Sequence, residues 1–242
     1  MSDPSTETAV GPLPSSLPPL AVDIDGTLTG PKQQLDPRVL PVCRAWPAPL
    51  VVATGKAMPY PVALCAFLGV EPLVVAENGG VVVIAPTDTV RFEGDREAAA
   101  AAIEAYRERG HSTGWGDTAF VNRWRETELA VRRDSPLEPL KAVAGERGLT
   151  VVDTGFAYHV KSPDVTKGTA LKTVADELDL SPASFAAVGD SANDASAFEV
   201  AGRGVAVGNA DETARQAADH VTGATYSDGF FEAVRWLREV TG

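Results

Sequence analysis

The sequence predicts an α/β fold, a parallel-sheet core interrupted by an inserted α+β domain. Three observations carry this. Over residues 20–80, and again from 161 onward, short apolar runs alternate with stretches at helical spacing. Such runs, bounded by turn signals, read as buried strands, and their alternation with helices indicates parallel pairing with right-handed crossovers. Between the two stretches the pattern changes to strand pairs with two helices. Finally, the first run, Leu20-Ala21-Val22, delivers Asp23 and Asp25 and breaks at Gly26. Ligands of open parallel sheets sit beyond the carboxyl ends of the strands. Both acids therefore stand at the rim where a substrate arrives.

Taken in order, residues 1–19 are rich in Pro, Ser and Thr without a period, and read as a disordered extension. After the first strand a loop leads into a short helix at 37–45. Residues 50–53 form a second strand with Thr54, Gly55 and Lys56 at its end, 59–68 a helix, and 73–76 a third strand. Glu77-Asn78-Gly79-Gly80 is a turn. Residues 81–93 read as a hairpin around a proline-containing turn, and 95–109 as a helix of high propensity. A strand at 127–132, a helix at 136–147 and strands at 150–153 and 157–160 complete an insert assigned to 81–160. The core then resumes. Leu171, Val174, Ala175 and Leu178 share a helical face, 185–188 and 204–207 are strands, and 229–240 is an amphipathic helix. The expected core is 20–80 with 161–242.

Composition narrows the function. With 44% hydrophobic residues and a mean hydropathy of −0.03, the chain reads as soluble and globular. No run approaches the ~20 apolar residues of a membrane span, and no signal-type segment opens the chain, so a cytoplasmic protein is expected. Cys43 and Cys65 lack metal-type spacing and read as reduced core thiols. A net charge of −12, with six lysines against fifteen arginines, argues against nucleic acid as a partner. A lysine-poor acidic surface also suits a salt-rich cytoplasm, where charge repulsion is screened, as in a halophilic archaeon.

Four short motifs fall at the ends or starts of core elements: DIDGT (23–27 with its lead-in), ATG (53–55), Lys167-Gly168 and GDSAND (189–194). Asp23, Asp190 and Asp194 would converge as three carboxylates, which is costly without a cation. Hard oxygen ligands of this kind favour Mg²⁺. A carboxylate attacks a phosphate dianion only when the repulsion is removed. Magnesium and the Lys167 ammonium would do so, making an aspartyl-phosphate accessible. Thr54 and the Gly55 amide can donate to phosphoryl oxygens, and Asp25 is left for proton work.

On these motifs the sequence resembles the haloacid dehalogenase superfamily of phosphohydrolases, over essentially all of residues 20–242. The resemblance implies a Rossmann-like core with an α+β cap between the second and third motifs, where the cap selects the substrate. It implies Asp23 as nucleophile, Asp25 as general acid/base, and Mg²⁺ held by Asp23, the Asp25 backbone carbonyl, Asp190 and Asp194. Within that subclass the chain is similar to archaeal phosphoglycolate phosphatases, by AENGG (76–80), NRWRE (122–126), TGFAYHV (154–160), and GDSAND followed by Phe198. Lys56 departs from the Asn expected there. The implied substrate is a small phosphorylated organic acid, 2-phosphoglycolate. Sugar-phosphate or phosphoglycerate phosphatases share the fold and motifs and stay open as alternatives. A catalytically silent binding module is the alternative from another class, although Asp23, Asp25, Lys167 and Asp190 are all present.

In the cap, Arg123 and Arg125 lie on one side if their segment is extended, and an arginine fork suits a carboxylate. Both are candidate substrate-binding residues, with Lys56 near them; a solvated cap surface or cap–core salt bridges are the alternatives. Trp124 is expected to pack within the cap, and His159 to be structural or a substrate contact.

Overall fold

The computed structural model describes residues 9–116 and 119–241. Its strands and helices run β1 (Leu20–Val22), α1 (Val39–Arg44), β2 (Leu50–Ala53), α2 (Pro59–Leu68), β3 (Leu73–Ala76), β4 (Val81–Ile84) and β5 (Thr89–Phe92). There follow α3 (Arg96–Glu108), β6 (Leu129–Arg132), α4 (Leu137–Gly145), β7 (Thr150–Asp153) and β8 (Ala157–Lys161). The chain closes with α5 (Lys167–Glu177), β9 (Ala186–Gly189), α6 (Ala195–Val200), β10 (Arg203–Ala206), α7 (Glu212–Ala217), β11 (His220–Val221) and α8 (Tyr226–Thr241).

The larger sheet has eight strands in the order β11-β10-β9-β1-β2-β3-β4-β5. β1 is flanked by β2 and β9, both parallel to it, with Leu20 opposite Leu50 on one side and Ala186 on the other. From β1 the order departs in both directions, so the crevice at its carboxyl end is the topological switch point where such sheets bind ligands. Side-chain alternation sorts the strands onto two faces. Leu20, Val22, Ala186 and Val188 pack with Phe230, Val234 and Leu237 of α8. Ala21, Ala187 and Val51 pack with Leu171, Val174 and Phe198 of α5 and α6.

The smaller sheet, β6-β8-β7, is antiparallel and is covered by α3 and α4 through Ile103, Tyr106, Leu140 and Val143. Asp95 caps α3 by accepting from the Ala98 amide at 2.8 Å.

Two expectations are corrected. The hairpin of residues 81–93, grouped with the insert on its sequence, extends the large sheet: β4 pairs antiparallel with β3, and β5 with β4. β4 is apolar on both faces because it sits inside that sheet. Residues 9–19 were expected to be disordered, yet Val10 and Leu17 are buried in the main core. The Trp46 indole donates to Pro18 O at 2.9 Å and Arg238 to Val10 O at 2.6 Å. Two apolar anchors in a Pro-rich segment are too sparse to show a period. Residues 1–8 lie outside the described residues. The short α6, α7 and β11 add to the elements read from sequence. Cys43 and Cys65 are buried and free, and burial pushes their thiols up to about 12 and about 11. No helix among the described residues is long and apolar enough to cross a membrane.

Because Leu17 is packed, Leu17→Ala should lower stability by about 2 kcal/mol, read from urea unfolding. An unpacked extension would show no change.

Candidate active site

Asp23 extends β1, its amide donating to Val188 O at 2.9 Å, and its side chain is buried. Lys167 meets it from the first turn of α5. The Lys167 ammonium donates to Asp23 Oδ1 at 2.7 Å and to Asp194 Oδ1 at 2.6 Å. α5 starts where it does because Thr166 and Thr169 form a capping box, each hydroxyl accepting from the other's amide, at 3.1 and 2.9 Å. Burial opposes the charge on Lys167, but the two carboxylates outweigh it and hold the ammonium well above the ordinary lysine range.

The loop after β9 carries the other acids. Asp194 folds back so that its Oδ2 accepts from the amides of Asp190 and Ser191, at 3.0 and 3.1 Å. Only glycine permits this at position 189, where a Cβ would come within 2.3 Å of Asp194 Cγ. Asp190 approaches the DIDGT turn just as closely. Gly26 has φ +81°, and a Cβ there would lie 1.9 Å from Asp190 Oδ2. Asn209 fixes this approach, its Nδ2 donating to Gly26 O at 3.0 Å and to Asp190 Oδ2 at 3.2 Å.

Oxygens of Asp23, Asp190 and Asp194 all lie within 4.8 Å of one another. Burial, with neighbouring carboxylates adding to it, pushes the Asp23 and Asp190 carboxyls up despite Lys167. One ammonium against three carboxylates leaves excess negative charge that a divalent cation would offset. All the donors are hard oxygens, so the set fits Mg²⁺.

With Asp194 buried behind them, Asp23 and Asp190 open onto a cavity of about 420 Å³. Its core side includes Asp23, Asp25, Gly55, Lys56, Asp190 and Asn193. Asp25 pairs with the Lys56 ammonium at 2.9 Å. Thr54 is buried beneath Gly55 and accepts from the Lys56 amide at 3.1 Å, which holds the strand-end turn. From the inserted part come Arg125, His159 and the β7–β8 turn of Thr154, Gly155 and Phe156.

The structure separates the two arginines. Arg125 lines the cavity, whereas Arg123 is exposed, its guanidinium 5.8 Å from the centre of the Phe120 ring, and does not line it. The expectation that both point one way assumed an extended segment, but residues 121–124 form a turn. Trp124 stacks on Phe120 with centroids 5.5 Å apart and meets Tyr60 of α2 edge-on at 6.2 Å, so it packs across to the core.

Sequence reasoning missed Glu128, Asn193 and Asn209. Glu128 is completely buried, pairs with Arg125, and lies 2.6 Å from His159 Nδ1. Asn78 Nδ2 donates to both its oxygens, at 3.1 and 3.0 Å. Burial alone would raise the Glu128 pKa. The charges of His159 and Arg125, with hydrogen bonds from His159 and Asn78, overcome burial and hold it at about 2. The one available signal was an acid directly preceding the apolar run Leu129-Ala130-Val131.

An aspartate ending the first strand, a threonine-glycine ending the second, and a lysine and paired acids on the returning half define a phosphohydrolase of the haloacid dehalogenase type. Comparison with known proteins agrees. Residues 140–234 match the haloacid dehalogenase-like hydrolase family. A phosphoglycolate phosphatase from Haloarcula marismortui is 61% identical over 225 residues, covering 93% of this chain and 99% of the relative. Among solved structures, a Thermoplasma acidophilum protein superposes with a TM-score of 0.80 at 21% identity, over 92% of this chain and 98% of that one. A haloacid dehalogenase-like hydrolase from Bacteroides thetaiotaomicron gives 0.72 at 22% identity, over 91% and 99%. The chain belongs to the haloacid dehalogenase-like hydrolases. Its activity is that of a phosphoric monoester hydrolase, and it is similar to the archaeal phosphoglycolate phosphatases.

Since the folded Glu128 pKa lies below its ordinary value of 4.5, its contribution to stability is present above that pH and lost as pH falls towards 2. Glu128→Gln should therefore cost about 3 kcal/mol at neutral pH, by leaving Arg125 without its buried partner. Denaturant titrations at several pH values should show the gap from wild type narrowing below pH 4.5.

Proposed function

We propose that this phosphatase hydrolyses 2-phosphoglycolate to glycolate and phosphate through an aspartyl-phosphate on Asp23. The observation that carries this reading is the buried Asp23 held by Lys167 at 2.7 Å on the wall of a cavity that Arg125 also lines. The likeness to phosphoglycolate phosphatases supports the substrate.

Lys167 occupies Asp23 Oδ1, and Oδ2 has no partner among the described residues, so Oδ2 is the attacking oxygen. It bonds to phosphorus as the ester oxygen departs, and Asp25 protonates the departing alkoxide. Asp25 then takes a proton from water. That water's oxygen attacks phosphorus, the Asp23–phosphorus bond breaks, and phosphate leaves. Lys56, paired with Asp25 at 2.9 Å, keeps its carboxylate at the cavity mouth. Lys167 places positive charge where carboxylate and phosphate meet, and the Gly55 amide is available to a phosphoryl oxygen. Asp23, Asp190, Asp194 and the Asp25 carbonyl would hold Mg²⁺. When bound, the ion supplies Lewis-acid neutralisation of the phosphoryl charge.

We assign substrate selection to the inserted cap, which supplies Arg125, the Thr154–Phe156 turn and His159 to the cavity wall. Arg125 is the group for the carboxylate. Arg123, exposed over Phe120, takes no part in this reading.

The test is phosphate release from 2-phosphoglycolate, phosphoglycerates, hexose phosphates and an aryl phosphate, with and without Mg²⁺. A Mg²⁺-dependent preference for 2-phosphoglycolate is expected, and a preference for sugar phosphates would discard the substrate while keeping the chemistry. Asp23→Asn should abolish turnover with the circular dichroism spectrum intact; retained turnover would sink the covalent route. Arg125→Ala should raise KM for 2-phosphoglycolate about tenfold more than for the aryl phosphate. Equal changes would remove the carboxylate contact.

A further inference from the structure

Glu77 and Asn78 are consecutive non-glycine residues in the left-handed region, at φ +51° and +55°. Bulky side chains avoid that region unless their surroundings over-determine it, so the pair calls for a cause. The cause visible here is aim. Glu77 turns its carboxylate onto the cap, accepting from the Glu126 and Thr127 amides at 3.0 and 2.9 Å and from the Thr127 hydroxyl at 2.8 Å. Asn78 faces two ways. Its Nδ2 donates to Glu128, and its Oδ1 accepts from Asn193 Nδ2 at 2.9 Å, inside the loop that carries Asp190 and Asp194.

Glu128 is the far end of this relay. It does not line the cavity but stands behind two residues that do, Arg125 and His159. Arg125 spends Nε on Val121 O at 3.0 Å and Nη1 on Glu128. His159 spends Nδ1 on Glu128. Among the described residues, Nη2 of Arg125 and Nε2 of His159 have no partner, and both side chains open onto the cavity that holds Asp23. Both groups bond the same Glu128 oxygen, and each keeps an unspent nitrogen. With His159 protonated at both ring nitrogens, that is the layout of a receptor for a planar anion.

We propose that Glu128 is a positioning residue. It holds Arg125 and His159 together as the receptor for the carboxylate end of the substrate, and Asn78 sets the spacing between that receptor and the phosphoryl site by bonding Glu128 and Asn193 at once. The proposal rests on the reading that the substrate is a carboxylated phosphomonoester. It adds a second receptor residue, the buried acid behind both, and the tie that makes the cavity a ruler. A fixed span admits a short acid and leaves longer esters with one end unmet.

The experiment compares 2-phosphoglycolate with 2-hydroxyethyl phosphate, an ester of matching length without the carboxylate, at saturating Mg²⁺. Glu128→Gln and His159→Gln should each lower kcat/KM for 2-phosphoglycolate by about 10- to 100-fold, mostly through KM. The loss on 2-hydroxyethyl phosphate should be several-fold smaller. Should Glu128→Gln fail to fold, His159→Gln, which leaves the Arg125–Glu128 pair in place, decides the matter. Asn78→Ala should erode the same preference between the two esters, since the receptor is no longer held at its span. If wild type prefers 2-phosphoglycolate but the variants lose both esters equally, Glu128 is merely structural and the receptor is overturned, while the substrate reading stands. If wild type hydrolyses both esters alike, the substrate reading itself falls and the receptor with it.

Discussion

The ammonium of Lys167, held between Asp23 and Asp194, is the interaction on which the rest of the site depends. A fully buried lysine is tolerated only when carboxylates meet it, and buried carboxylates crowd together only when a cation lies among them. Each group makes the others possible. The sheet supplies the rest, since β1 and β9 are neighbours in parallel register and the acids that follow them emerge on one rim. α5 then delivers the lysine from one face of the sheet, at a helix start set by its own threonines.

The close approaches around this cluster are backbone decisions. Gly26 and Gly189 let carboxylates come where any Cβ would stand in the way. Asn209 joins the DIDGT turn to the Asp190 loop, while its Oδ1 accepts from the Tyr226 amide at 2.6 Å and so anchors the start of α8 as well. Contacts of this kind fix where the carboxylates stand, whereas the wall opposite them is built from a separate sheet and its turns.

Much of this was legible in the residues. Strand ends are marked by where apolar runs stop, so Asp23, Thr54, Gly55 and Asp190 could be placed on one rim without coordinates. Lys167 was legible because it opens a helical stretch. What was not legible depends on partners distant in sequence. The hairpin of β4 and β5 announces itself locally, but that it joins the large sheet is decided by β3. Arg123 and Arg125 are two apart, and only the turn at 121–124 determines that they diverge. Glu128 looks like an ordinary solvated acid until three donors gathered from 50 residues upstream, three residues upstream and 31 downstream are seen to converge on it. Val10 and Leu17 are buried by contacts with the opposite end of the chain, which no local pattern records.

The Asn78 side chain bears on how such an enzyme changes through descent. A cap carried on its own sheet, with its own small core, looks like a module that can be exchanged while the chemistry beneath it is inherited intact. Here the exchange is not free. Asn78 belongs to the core chain, yet it spends its donors on Glu128 of the cap and its acceptor on Asn193 of the acidic loop. A grafted cap without an acceptor at that point would leave a buried amide unpaired, and drift at position 78 would be checked from both sides. The cap and the acidic loop are therefore linked in their history through one side chain, although they belong to separate sheets.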